Sequence, residues 1–250
     1  METLRKPLQG VFNIVRFNWH FYIFSAFFIF GLLVFKQFFS IDVFVMFTIG
    51  FIIITTTISL LVSFYIYDLS SLYDFNWILK SNENLNIVTI NAGFDETSLL
   101  LKAKFKNSKV AILDFYNPEM HTEISIERAR KAYPSQPDTI QIETSNIALE
   151  TNSVDTVFLI FAAHEIRNNQ ERVIFFKEIN RILKPNGQVF VLEHLRDFNN
   201  FCAYSIGFFH FLTWSNWKNT FNKSNFTLDS EQKQTLFISL FTLSKNGNPS

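Results

Sequence analysis

Two long apolar runs near the amino terminus set the first limit on what this chain can fold into. Residues 17–39 read FNWHFYIFSAFFIFGLLVFKQFF and residues 43–67 read VFVMFTIGFIIITTTISLLVSFYIY. An α-helix rises about 1.5 Å per residue, so about 20 apolar residues cross the hydrocarbon core of a bilayer. Both runs are that long, and both are apolar on every face, which suits lipid better than a protein surface. The expectation is a two-helix transmembrane hairpin over residues 17–67, behind an amino-terminal segment of residues 1–16. A cleaved leader is not expected, because the first run is too long, no small-residue cleavage site follows it and a second run comes at once. Trp19 and Tyr22 at one end, and Tyr65 and Tyr67 at the other, suit the aromatic belts of a membrane interface. Arg5, Lys6 and Arg16 precede the first run and only Lys36 stands in the link, so the positive-inside rule puts the amino terminus, and with it the rest of the chain, in the cytoplasm. A re-entrant hairpin would give the same sidedness.

Thr48, Thr55, Ser59 and Ser63 recur along one face of the second run. Small polar residues let membrane helices approach closely. Packing against the first run is the first expectation, and a partner helix, as in a homo-oligomer joined through the membrane, is the second.

After a connector over residues 68–85, strand and helix signals alternate. Strands are expected at 86–91, 109–114, 139–143, 154–161, 188–193, 226–230 and 236–244, with helices at 96–105, 119–131 and 168–183. This alternation predicts a Rossmann-like, doubly wound α/β domain over residues 86–250 with a mostly parallel, seven-stranded sheet. Such sheets bind ligands beyond the carboxyl ends of their strands, which directs attention to Asn91, Asp114, Glu143 and residues 161–164. The 22 basic and 22 acidic residues balance, so no basic footprint for nucleic acid is present. The lone Cys202 rules out an intrachain disulfide and is expected to be inert and partly buried. No spacing in the sequence marks a metal site. His210, within an aromatic run, reads as a core histidine.

Two segments carry a family resemblance. Asn152-Ser153-Val154-Asp155 enters a strand, and Glu178-Ile179-Asn180-Arg181-Ile182-Leu183-Lys184-Pro185-Asn186-Gly187 precedes the strand that ends in Glu193-His194. In this order and spacing they resemble class I S-adenosylmethionine-dependent methyltransferases, in the general manner of enzymes that methylate quinones and lipids. The family's Gly-x-Gly-x-Gly loop is degenerate here. It is replaced by Asn91-Ala92-Gly93-Phe94-Asp95, with Thr89 where an acidic residue is usual.

The resemblance implies S-adenosylmethionine as cofactor. It would be held by backbone at Asn91, Ala92 and Gly93, by Asp114 on the ribose hydroxyls and by Glu143 near the adenine amino group, with Phe115, Thr144 and Ala162 alongside. It also implies that residues 162–165 line the transferred methyl group, with His164, and then His194, as candidates to take a proton. In Lys184-Pro185-Asn186-Gly187, proline stops a helix and Asn and Gly are expected to tolerate positive φ. The function expected is a membrane-anchored methyltransferase acting on a lipophilic, quinone-, lipid- or pigment-like acceptor delivered by the bilayer. The alternative is a non-catalytic methyltransferase-like binding module at the membrane.

Overall fold

The structure, a computed structural model, describes residues 5–39, 42–78, 84–121 and 123–247. Helices α1 (Gln9–Phe17) and α2 (Trp19–Phe35) come first, followed by α3 (Asp42–Phe64), which runs on through a π turn, Tyr65–Leu69, and a 3₁₀ turn, Ser71–Asp74. The run Asp42–Asp74 is the only helix among the described residues long and apolar enough by itself to cross a membrane.

The first apolar run is not one straight helix. It breaks at Asn18, and α1 and α2 are bent by 65° to one another. Asn18 causes the break chemically, since both its backbone N–H and its side-chain Nδ2 donate to the Ile14 carbonyl, at 3.1 and 3.0 Å. The Phe17 carbonyl, which a continuous helix would use, instead accepts from Arg128 at 2.7 Å. The helix therefore starts earlier than the hydropathy suggests, at Gln9, and α1 lies against the α/β domain. There Phe17 packs edge-on to Phe94 and Tyr133.

Along α2 and most of α3 the large apolar side chains, such as Phe24, Phe27, Phe30, Phe47 and Phe51, are exposed to the surroundings. The small polar stripe of α3 resolves in two parts. Thr48 and Thr55 donate back to Phe44 and Phe51 carbonyls of their own helix. Ser63 is fully buried where the end of α3 meets the α/β domain.

The domain is a seven-stranded sheet in the order β3-β2-β1-β4-β5-β7-β6. Strands β1 (Asn86–Asn91), β2 (Lys109–Asp114), β3 (Thr139–Gln141), β4 (Val154–Ile160) and β5 (Leu183–His194) run parallel. Strands β6 (Phe226–Thr235) and β7 (Ile238–Lys245) close the edge antiparallel, so the sheet is mixed. Helices α4 (Ser98–Lys104), α5 (Ile124–Ala132), α6 (Asn169–Ile182), α7 (Phe198–Tyr204) and α8 (Trp214–Lys223) complete it. The parallel strands are buried runs of Val, Ile, Leu and Phe, as a sheet covered on both faces requires. Their core is continued by Phe175, Phe176 and Ile179 of α6 and by Trp217 and Phe221 of α8.

One local reading is corrected. Neither Asn186 nor Gly187 has positive φ. Leu183 has already left the helix, with φ −66° and ψ 135°, and it pairs with Val154. Gly187 is needed for closeness instead: a β-carbon there would lie 2.7 Å from Leu183 Cδ1 and 2.9 Å from the Asp155 carbonyl.

Candidate functional site

The site is built from the carboxyl ends of β1, β2, β4 and β5, on both sides of the point where the strand order reverses between β1 and β4. After β1, the buried Asn91 folds the chain back on itself as its Oδ1 accepts from Gly93 N at 3.0 Å. Gly93 has φ +89°, a conformation L-residues rarely adopt. A β-carbon on it would meet the Tyr116 ring at 2.9 Å. Asp95 Oδ1 caps α4 through Thr97 N and Ser98 N. Glu96 turns away from the strand ends and accepts from Asn13 of α1 at 3.1 Å, with Arg5 at 3.7 Å. Burial first, with these partners only partly offsetting it, raises its pKa above the usual carboxylate value.

At the end of β2, Asp114 is fully buried. Its Oδ1 accepts from Tyr116 N at 2.8 Å and its Oδ2 from the Arg130 guanidinium of α5. Strand pairing sets Asn91 beside Asp114, and Asp114 O accepts from Ile142 N at 2.9 Å. The structure thus gathers Asn91, Ala92, Gly93 and Asp114 at one place, with the 142–144 segment next to them. Phe115 points into the core against Phe175, with ring centroids 5.1 Å apart, and Tyr116 is the ring that faces Gly93. Glu143 is exposed, and the buried Thr144 donates to Glu171 at 2.8 Å.

A second group gathers beyond β4 and β5. Phe161 is held at φ +51°, a strained value for a bulky residue, and strain of this kind concentrates at functional sites. The kink leads into the buried 3₁₀ turn Ala163–Glu165, behind the buried Ala162. His164 is held from two sides, with Nδ1 2.7 Å from Glu193 Oε2 and Nε2 3.1 Å from Glu165 Oε1. Its backbone N–H also donates to Glu193 Oε1 at 3.2 Å. Burial alone would lower its pKa, but the two carboxylates outweigh burial and push it up to about 10. Burial would likewise raise Glu165, but His164 and His210 bring it well below the usual carboxylate range. At neutral pH this His164 is an imidazolium, donating from both nitrogens, and in that form it has no lone pair with which to accept a proton.

His194 is the opposite case. It is buried, with Nδ1 2.9 Å from Asn200 Oδ1 and Nε2 2.8 Å from the Tyr67 hydroxyl, and its ring stacks on Phe211 at 4.5 Å. Burial pushes its pKa down to about 3, so it is neutral, with Nδ1–H donating to Asn200 and Nε2 accepting from Tyr67. His210 is half-buried in the 3₁₀ turn Ser205–His210 and is not a core residue. It lies 3.5 Å from Glu165 and 3.4 Å from Glu123, and Arg167 contacts it. Tyr116, Arg130 and His210 were not among the site residues expected from the sequence, and Glu165 was expected only as part of the 162–165 lining. Arg196 donates to the Phe211 carbonyl, and Asp197 caps α7 and meets Lys233 at 3.1 Å. Cys202 is exposed.

The donor set fits S-adenosylmethionine in two respects. Gly93 offers backbone without a side chain in a left-handed turn, and Asp114 offers a carboxylate that can accept both hydroxyls of a diol. Both features are covered by the chain itself, Gly93 by Tyr116 and Asp114 by Arg130.

Residues 93–191 match the family described as "Methyltransferase domain". No curated protein matches. Among solved structures, a S-adenosylmethionine-dependent methyltransferase of Methanosarcina mazei superposes with TM-score 0.50 at 17% identity, covering 66% of this chain and 94% of that one. One of Aquifex aeolicus superposes with TM-score 0.50 at 16% identity, covering 76% and 97%. At such identities the structural likeness speaks for the fold, a Rossmann-like methyltransferase fold. Together with the family match over residues 93–191 it supports a methyltransferase-type domain.

Proposed function

We propose that this chain, a methyltransferase by its matched domain and its fold, is an integral membrane enzyme that methylates a lipophilic acceptor taken from the bilayer, with its domain on the cytoplasmic side. One observation carries the reading. The apolar helix α3 does not end in a free linker but runs on into the candidate site: Tyr67, three residues past Phe64, reaches His194 at the end of β5 and packs against Phe161 at the end of β4. A bilayer around α3 would therefore lie next to the strand ends. The exposed Phe198, Phe201, Ile206 and Phe209 of α7 and the turn after it give that side an apolar surface. Holding the site at the bilayer raises the local concentration of a lipid-soluble acceptor.

In this reading S-adenosylmethionine supplies an electrophilic methyl group when bound. The chain's own residues do the rest. Gly93 and Asp114 receive the cofactor, Tyr116 and Arg130 turn aside for it, and the buried turn Ala163–Glu165 walls the reaction from water. The test is to reconstitute the full chain in liposomes made from lipid extract, add cofactor labelled in its methyl group, and separate organic from aqueous phases. Label in an organic-phase product, absent with Asp114→Ala, is expected. Label confined to the aqueous phase would overturn the lipophilic acceptor.

A second reading has its own observation. With Arg130 on Asp114 and Tyr116 over Gly93, the chain itself fills the places a cofactor needs, as a non-catalytic binding module would. Calorimetry with S-adenosylmethionine separates the two, because the second reading expects no binding.

A further inference from the structure

We propose that His164, Glu165 and His210 form a binding site for one divalent first-row transition metal of the zinc class. The three side chains come from the turn after β4 and from the 3₁₀ turn ahead of α8, and each offers one ligand atom, all within 4.8 Å of one another. Glu165 Oε1 stands 3.1 Å from His164 Nε2 and 3.5 Å from His210 Nε2. Zinc bonds of about 2.0–2.1 Å in tetrahedral array have ligand–ligand edges of roughly 3.3 Å, so the two edges from Glu165 match donors around one ion, and the third pair, within 4.8 Å, has only to draw in. Two imidazoles and a carboxylate suit zinc and its neighbours, with the Nε2 proton of His164 released as the ion takes its place, whereas calcium and magnesium call for oxygen ligands throughout.

Two independent features point to a cation. Glu165 is buried at 4% exposure, and its second oxygen, Oε2, has no hydrogen-bond partner. Both histidines also have a carboxylate behind them: Glu193 Oε2 lies 2.7 Å from His164 Nδ1, and Glu123 Oε1 lies 3.4 Å from His210 Nδ1. A carboxylate on the far nitrogen of a histidine fixes the ring and its tautomer for a metal on the near one. Arg167 NH2 lies against the His210 ring, 2.6 Å from Nδ1 and 2.9 Å from Nε2, so a cation already stands at the edge of the cluster. Its side chain is 37% exposed and already reaches Glu123 at 3.4 Å, so it can withdraw toward that carboxylate when an ion arrives. Three protein ligands leave a fourth position open for water or a ligand oxygen, as in catalytic rather than structural zinc sites. The site stands on this geometry alone and holds whether or not the domain transfers methyl groups.

The test uses the full chain, stripped of metal with chelator and titrated with Zn²⁺ by calorimetry and with Co²⁺ by visible absorption. One saturable equivalent is expected for the parent. His210→Ala and Glu165→Gln are each expected to lower zinc affinity at least about 10-fold, and Glu193→Gln by about 10- to 100-fold. His20→Ala and His121→Ala should leave affinity unchanged, since those histidines lie outside the cluster. His210 is half-buried in a surface turn, so His210→Ala is expected to keep the parent's far-ultraviolet circular dichroism. A parent without saturable binding would overturn the proposal. So would a folded His210→Ala protein that binds zinc as tightly as the parent.

Discussion

The Tyr67 hydroxyl lies 2.8 Å from Nε2 of His194, joining the last turns of the apolar helix to the end of strand β5. Asn200 takes the other ring nitrogen of His194, so the tyrosine is the donor that its buried Nε2 requires. Tyr67→Phe leaves that acceptor unsatisfied, at a cost of about 1–3 kcal/mol. A lower melting temperature with unchanged secondary structure is expected by circular dichroism. An unchanged melting temperature would mean that the helix and β5 are not joined in this way.

Cofactor affinity should follow Asp114. Losing a hydrogen bond to a charged group costs about 1.5–3 kcal/mol, so Asp114→Ala should weaken S-adenosylmethionine binding roughly 10- to 150-fold by calorimetry. Equal affinity in parent and variant would place the ribose elsewhere.

Gly93→Val should abolish that binding in a folded protein. The substitution puts a branched side chain on a backbone at φ +89° and drives its β-carbon into Tyr116. Folding is checked by circular dichroism and binding by calorimetry, and retained binding would remove the cofactor from this loop.

The two buried histidines predict opposite pH limbs. The pKa of His164 is raised in the fold, so its contribution is complete below its unfolded value of 6.5 and is lost as pH rises toward about 10. The pKa of His194 is lowered, so the fold weakens as pH falls from 6.5 toward about 3, where the unfolded chain takes a proton that the native ring refuses. Each limb slopes by about 1.4 kcal/mol per pH unit at most. Denaturation midpoints across pH 4–9 should therefore peak near the middle of that range. Glu193→Gln should flatten the alkaline limb and His194→Gln the acid one. Limbs that survive both substitutions would assign them to other groups.

Gly187→Ala should destabilise the domain by about 1–3 kcal/mol, because the added methyl overpacks Leu183 and the Asp155 carbonyl. Urea unfolding measures this, and a neutral result would show that the β4–β5 start is looser than it stands.

Much of the architecture was legible because it rests on local patterns. The buried runs at 86–91, 109–114 and 154–160 are strands, and the expected strand-end positions Asn91 and Asp114 do meet, because parallel pairing aligns them. What could not be read depended on partners far along the chain. Asn18 looked like one more residue of an apolar run, yet its amide turns the helix by bonding to Ile14. Asp114 looked free to receive a ligand, because nothing in the sequence said that Arg130 would face it. His164 and His210 are separated by two helices and a strand, and only the fold sets both against Glu165. The strain at Phe161 has no sequence signal at all, since a bulky residue there is an outlier by definition.

Asp68 caps the start of α1, accepting from Gly10 N at 2.8 Å and Val11 N at 2.7 Å across 58 and 57 residues of chain. The two places where the apolar segment departs from the soluble body and rejoins it are thus stitched to each other. The segment between them accordingly leaves and re-enters the body at adjoining points, with Val62 and Ser63 already part of the body. Cutting the chain at residue 66 would strip Phe17 from Phe94 and Asn13 from Glu96, and so expose the loop at Gly93. Splicing a short Gly/Ser linker between α1 and Val62 would keep both contacts, retain the buried Ser63 and give a water-soluble form of the domain with its amino-terminal cover in place.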